Sequence, residues 1–263
     1  MGWSSRRSAL KRSAKCLWTL LAGLWPVGCT MDLQLIQDPP DAVAVTTTGP
    51  WASMIYVART DSGVIAIDLG WTGYERLMPS ALEGINAEPA DVRFVFLTHG
   101  HRDHIAAWPL VRQATFLVGA GEVPMLTSDS GYSGWATRLS DEIKDYPRPG
   151  PGELHVTGMS SDTSIVLGRD TLYAFSIPGH TPGSMAYLFR GILFGGDAIN
   201  WRPGSGFQGA RPEFSDSVEQ SRESLRSLWQ RLPGERVRIM CSAHGKCAIS
   251  DSVLRRRVVR KDR

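Results

Sequence analysis

Residues 93–104 read RFVFLTHGHRDH, and this stretch decides the fold. Its first half, Arg93 to Thr98, is β-branched and aromatic, as expected of a buried strand. Its second half packs three of the chain's six histidines, His99, His101 and His104, together with Asp103 into six positions. Metal-type ligands therefore begin where a buried strand ends. Side chains two apart on extended backbone point the same way, so His99 and His101 can grip one ion. Asp103 and His104 open the next turn and face a neighbouring point. Imidazole with carboxylate suits zinc, and less often iron or manganese.

Working outward, strand-like runs at 42–47, 52–60 and 63–68 are joined by Gly49-Pro50 and Asp61-Ser62-Gly63, the pattern of a β-meander. Apolar spacing predicts a helix from Tyr74 to Ile85 and a short one over 106–113, with Pro109 in its first turn. A strand follows at 114–118. Residues 119–160 are rich in Gly, Ser and Pro and read as a long irregular insert, with a helix predicted at 136–145. Strands resume at 163–167, 171–177, 185–189 and 191–195. A Gly-rich loop at 203–209 leads to a helix over 215–231, capped by Ser215 or Asp216, and a last strand at 236–241. Strands then helices, twice over, predict an α/β fold of two face-to-face sheets with helices outside. The domain runs over 42–250, between a linker at 30–41 and a basic tail at 251–263.

Composition agrees with a globular chain: 263 residues, 42% hydrophobic and 21% charged, enough for a core and unlike a disordered segment. The basic residues gather at the ends. Five lie in residues 1–28 without an acid, and six in the last nine, while 29–254 holds 18 basic and 25 acidic residues. An acidic body does not fit a nucleic-acid partner. The apolar run from Cys16 to Gly28 has 13 residues, the length of a signal-peptide core and too short to span a bilayer. Ser5-Arg6-Arg7 before it resembles the twin-arginine export signal, and Pro26-Val27-Gly28-Cys29 a bacterial lipoprotein cleavage site. Residues 1–29 are therefore expected to export the protein to the periplasm or cell envelope. Lipid on Cys29 would hold it at a membrane. Cys241 and Cys247, six apart, are either a disulfide across a short loop or two free thiols.

Five segments together resemble the metallo-β-lactamase superfamily. Residues 98–104 (THGHRDH) are similar to its HxHxDH signature, and residues 64–70 (VIAIDLG) to its earlier aspartate motif. Residues 178–184 (PGHTPGS) resemble its third-histidine motif, Phe194-Gly195-Gly196-Asp197 its bridging aspartate, and Ser242-Ala243-His244-Gly245 its terminal histidine. The resemblance implies a four-layer αβ/βα sandwich with metals at the edge between the sheets. It implies that His99, His101 and His180 bind a first ion, that Asp103, His104 and His244 bind a second, and that Asp197 bridges. Asp68 would orient a ligand imidazole from behind.

Two zinc ions, with iron or manganese as alternatives, would then generate a hydroxide that attacks a carbonyl, Asp103 taking its proton. The β-lactamases of this superfamily usually carry Cys or Ser where Asp197 stands; a full His/Asp set is more similar to its lactonases, thioesterases and esterases. Homoserine-lactone lactonases have a tyrosine three residues past the bridge, here Asn200, which is expected to donate to a substrate carbonyl. Loop aromatics (Trp51, Trp71, Tyr132, Trp135, Trp201 and Phe207) are candidates for the wall of a pocket for an uncharged small-molecule carbonyl substrate, a lactone, ester, thioester or amide. The alternatives are an iron-dependent oxidoreductase similar to persulfide dioxygenases and a metal-binding surface protein without catalysis.

Overall fold

Side chains along each strand alternate between two cores, and that alternation builds the layers. The computed structural model describes residues 32–35, 43–47, 53–71, 74–127, 136–137, 139, 149–202, 204–232 and 237–260. Strands β1 (Asp32–Leu35), β2 (Val43–Thr47), β3 (Ile55–Thr60), β4 (Gly63–Leu69), β5 (Val92–Phe96), β6 (Thr115–Gly119) and β7 (His155–Met159) form one sheet in chain order. Its pairs are antiparallel up to β4 and parallel from β4 to β7. Next come β8 (Thr163–Leu167), β9 (Asp170–Ser176), β10 (Met185–Phe189) and β11 (Ile192–Phe194), then a separate hairpin of β12 (Asn200–Arg202) and β13 (Gly206–Gln208). With β14 (Ile239–Cys241) and β15 (Cys247–Ile249) the second sheet has the order β15-β14-β11-β10-β9-β8. The α-helices that accompany them include α1 (Tyr74–Glu83), α2 (Val123–Thr127), α3 (Val218–Arg231) and α4 (Ser252–Val258).

In β4, Val64 and Ala66 pack with Leu77, Met78, Ala81 and Leu82 of α1. Ile65 and Ile67 turn the other way, into a core shared with Tyr187 and Phe189 of β10. Ala186 and Leu188, on the far face of β10, meet Leu225 and Leu228 of α3 and Val258 of α4. The layers therefore run helix, sheet, sheet, helix, which is the predicted αβ/βα sandwich.

The differences from the sequence reading lie in short or polar elements. The predicted linker contains β1, whose DLQL alternates polar and apolar residues and pairs with β2. The predicted basic tail contains α4, with Asp251 accepting from Leu254 N at its start and Val258 buried near its end. Residues 106–113 give only a 3-10 turn, Trp108–Leu110, which ends where Val111 leaves helical geometry at φ −131°. Helix α3 begins at Val218, three residues after the predicted start at 215. Its cap is Ser217, whose side chain accepts from Gln220 N. Of the helix predicted at 136–145, Ala136, Thr137 and Leu139 are helical and the rest lies outside the described residues. The export segment, Cys29, Trp51, Tyr132 and Trp135 also lie outside them. No helix among the described residues is long and apolar enough to cross a membrane.

Two buried tyrosines cross-link the sheets. Tyr187 of β10 donates to the carbonyl of Leu97, just past β5, at 2.7 Å. Tyr56 of β3 donates to the carbonyl of Ser242, just past β14, at 2.7 Å. Both acceptors lead into histidine-bearing loops, at His99 and His244. Tyr187→Phe should lower stability by about 1 kcal/mol or somewhat more, the net worth of a buried hydrogen bond. Urea unfolding followed by circular dichroism would measure it; an unchanged midpoint would mean that the hydroxyl does not tie the sheets.

Candidate metal centre

All the histidine and aspartate side chains singled out in the sequence, apart from Asp68 behind them, converge at one edge of the sandwich. His99, His101, Asp103 and His104 occupy the turn after β5. His180 lies between β9 and β10, Asp197 in a 3-10 turn after β11, and His244 between β14 and β15. Gly196, at φ 52°, lets the Asp197 turn lie against the first loop. A Cβ there would stand 2.5 Å from Thr98 Oγ1. The loops interlock through backbone bonds from Met185 N to Thr98 O, 2.7 Å, and from Ala243 N to Gly196 O, 3.3 Å.

His99 Nε2, His101 Nδ1 and His180 Nε2 form a triangle with sides of 3.0, 3.1 and 3.2 Å. Four-coordinate ions bound at 2.0–2.1 Å hold imidazole nitrogens at about this spacing. On the other side, His244 Nε2 stands 3.2 Å from Asp103 Oδ2 and 3.3 Å from Asp197 Oδ1. His104 Nε2 stands 3.8 Å and 3.6 Å from the same two oxygens. Asp197 turns its other oxygen, Oδ2, toward His180 Nε2 at 3.9 Å. Three sets of ligand atoms are thus close enough to hold an ion: His99, His101 and His180; His99, His104 and Asp197; and Asp103, His104 and His244. His104 Nε2 and Asp197 Oδ1 are buried without a hydrogen-bond partner. Such orphaned atoms are costly unless they face a ligand, so the donor set fits a metal.

Side chains behind the cluster fix the ring orientations. Asp68 Oδ2 accepts from His104 Nδ1 at 2.9 Å, leaving Nε2 to face inward. Asp68 also accepts from Thr98 N and Thr98 Oγ1, both at 2.8 Å. These bonds hold it at φ 50°, a left-handed conformation that costs a non-glycine residue about 1–3 kcal/mol. His180 Nδ1 meets Ser215 Oγ at 2.9 Å, and Ser215 Oγ donates to the carbonyl of Arg211 at 2.6 Å. Ser215, one of the two cap candidates with Asp216, does not cap α3. Its bond to His180 depends on two loops 35 residues apart meeting in space, which no local signal announces.

Electrostatics divide the cluster. Burial and neighbouring rings hold His99 well below the ordinary histidine range, and push His101 to about 3 and His180 to about 4. These three stay neutral at physiological pH, with lone pairs ready for a cation. Burial also pulls on His104 and His244, but the aspartates outweigh it. Asp68 and Asp103 hold His104 well above its usual value, and Asp197 and Asp103 lift His244 to about 10. Against burial, His104 and His244 hold Asp103 and Asp197 well below the usual carboxylate range. A field that favours a proton there also favours a divalent cation. The Asp103 side chain is 23% exposed while those of His99, His104 and His180 are at most 1% exposed, so the site opens on the Asp103 side.

Asn200 does not stand open as a substrate donor. It is buried, and its Nδ2 donates to the carbonyl of Asp197 at 2.6 Å, bracing the turn from below. Phe207 belongs to the core under α3 and not to a pocket wall. Trp201 does lie beside the site, its ring over Gly245, where a Cβ would meet it at 2.6 Å. Ser53 donates to the carbonyl of Asp103 and bridges His244 in β fashion, joining both halves of the second cluster to β3.

Residues 48–238 match the sequence profile of the Metallo-beta-lactamase superfamily. The uncharacterized protein YobT of Bacillus subtilis (strain 168) is 26% identical over 78% of this chain and 88% of its own length. The N-acyl homoserine lactonase AttM of Agrobacterium fabrum is 29% identical over 41% of this chain; the match spans only 40% of AttM. A metallo-beta-lactamase from Pontibacter korlensis superposes with a TM-score of 0.61 over 87% of this chain and 97% of its own, at 17% identity, a likeness of fold.

The hairpin that carries His244 is closed by a disulfide between Cys241 and Cys247, which are register partners in β14 and β15. Replacing both with Ala should cost about 2 kcal/mol, from the entropy of so short a loop. It should also loosen His244, so that metal held by Asp103, His104 and His244 would be lost more readily to a chelator than metal held by His99, His101 and His180. Metal content after graded chelation would check this; unchanged retention of both would show that the hairpin holds His244 without the disulfide.

Proposed function

The chain belongs to the metallo-beta-lactamase superfamily, and from that premise we propose that it is a metal-dependent hydrolase with a dinuclear, preferentially zinc, centre. Its substrate would be an uncharged small molecule whose carbonyl lies in a lactone, ester, thioester or amide. The observation that carries this reading is the placement of Asp197, with Oδ1 toward His104 and His244 and Oδ2 toward His180. One carboxylate so shared suits two cations better than one. In this reading His99, His101 and His180 hold the first ion, Asp103, His104 and His244 the second, and Asp197 both.

Bound cations would supply Lewis acidity and lower the proton affinity of water, so that a nucleophile exists at neutral pH. The chain's own groups do the rest. Asp68 and Ser215 keep the ligand nitrogens of His104 and His180 aimed inward. Asp103, the most exposed of the carboxylates in the cluster, accepts the proton released as water attacks. Trp201 packs beside Gly245, next to His244, with the Lys246 ammonium 4.9 Å from its ring centroid. The likeness to the lactonase AttM makes a lactone the first class to try.

A panel of lactone, thioester, β-lactam and phosphodiester substrates tests the reading. Hydrolysis of a carbonyl substrate should vanish on chelation and return with zinc. Both His180→Ala and Asp197→Asn should lower kcat/KM by about a thousandfold or more, since metal catalysis contributes several kcal/mol and each 1.36 kcal/mol is tenfold. Turnover that survives chelation would refute the proposal. Stoichiometric iron with oxygen uptake would replace it with an oxidoreductase.

A further inference from the structure

Glu122 lies outside every motif that points to the metal centre, yet it is fully buried. It ends the 3-10 turn Ala120–Glu122 that follows β6. A carboxylate taken wholly out of water is costly unless donors surround it. Three of its donors come from two loops. Gly100 N donates to Oε2 at 2.8 Å; Thr181 Oγ1 and Gly183 N donate to Oε1, both at 2.7 Å. Gly100 sits between His99 and His101, and Thr181 follows His180.

Glycines make the approach possible. A Cβ on Gly119 would lie 1.9 Å from the carbonyl oxygen of Gly183, and one on Gly121 would lie 2.8 Å from Gly183 N. A Cβ on Gly183 would lie 2.6 Å from Glu122 N. The turn after β6 therefore packs backbone to backbone on the loop after His180, and the Glu122 side chain reaches past it to the loop of His99 and His101. Thr181 is fixed in turn by Ser184, whose Oγ accepts from Thr181 N at 2.9 Å.

We propose that Glu122 is a positioning residue for the first metal ion. Its carboxylate clasps the His99–His101 loop to the His180 loop and so sets the spacing of the three nitrogens. It touches neither ion nor substrate. The proposal rests on the reading that His99, His101 and His180 hold an ion. Groups that orient metal ligands are typically worth 10–100-fold in metal affinity.

The test is a competition titration of the full chain with Zn²⁺ against a chromophoric chelator, for wild type and for Glu122→Gln. The amide keeps the shape but presents an NH2 group to at least one of the three donors. One of the two ions should bind 10–100-fold more weakly and the other as in wild type, while circular dichroism and cooperative unfolding show a folded protein. Histidine ring ¹H–¹⁵N spectra should assign the weakened ion to His99, His101 and His180. Should Glu122→Gln not fold, Thr181→Val decides by the same readout, since it deletes one donor of the clasp and keeps the shape. A folded variant that binds both ions as tightly as wild type would overturn the proposal and leave Glu122 a partner of the fold alone. If wild type itself binds no Zn²⁺, the metal reading falls and this inference with it.

Discussion

Three imidazole nitrogens within 3.0–3.2 Å of one another are the constraint on which the structure turns. Lone pairs that converge so closely need something positive between them. Each ring nitrogen is held there by a second bond on its own residue or loop: His99 Nδ1 beside Thr98 Oγ1, His180 Nδ1 on Ser215, and the His101 loop on Glu122 through Gly100. The same logic holds across the site, where Asp68 fixes His104. Affinity for a cation would come from the ligands together with the groups that keep them from relaxing apart, the latter typically worth 10–100-fold.

The sandwich supplies the rigidity for this. Parallel strands β4 and β5 end at the same edge, delivering Asp68 and His99 side by side. The second sheet ends its own strands at that edge, delivering Asp197 after β11 and His244 after β14, which are parallel neighbours. Tyr187 and Tyr56 then bind each sheet to the strand end of the other. Loops carry the chemistry, but each is anchored within a few residues to a buried strand.

Much of this was legible in the sequence, and what was not has a physical pattern. The ligand residues clustered locally at 99–104 or stood in segments resembling a family, and the buried strands β4, β5 and β10 announced themselves through apolar composition. Strand β7 did not, because it is an edge strand whose side chains are mostly exposed, His155 among them. Strands β12, β13 and β15 have three residues each, too few for a period to register. Glu122 and Ser215 were invisible as supports of the centre, since each acts across tens of residues through contacts that exist only in the folded chain. Asn200 carried a local signal that pointed toward the substrate, whereas its amide in fact braces Asp197. Local chemistry could be read ahead of the fold, but the bracing could not.

The most direct measurement is an anomalous difference map from a crystal grown with zinc, recorded on both sides of the zinc absorption edge. A dinuclear centre should give two peaks per chain, one among His99 Nε2, His101 Nδ1 and His180 Nε2, the other among Asp103, His104 and His244, each about 2 Å from its ligand atoms. A map with no peak at this edge of the sandwich, or with a single peak that leaves Asp103, His104 and His244 unliganded, would contradict it.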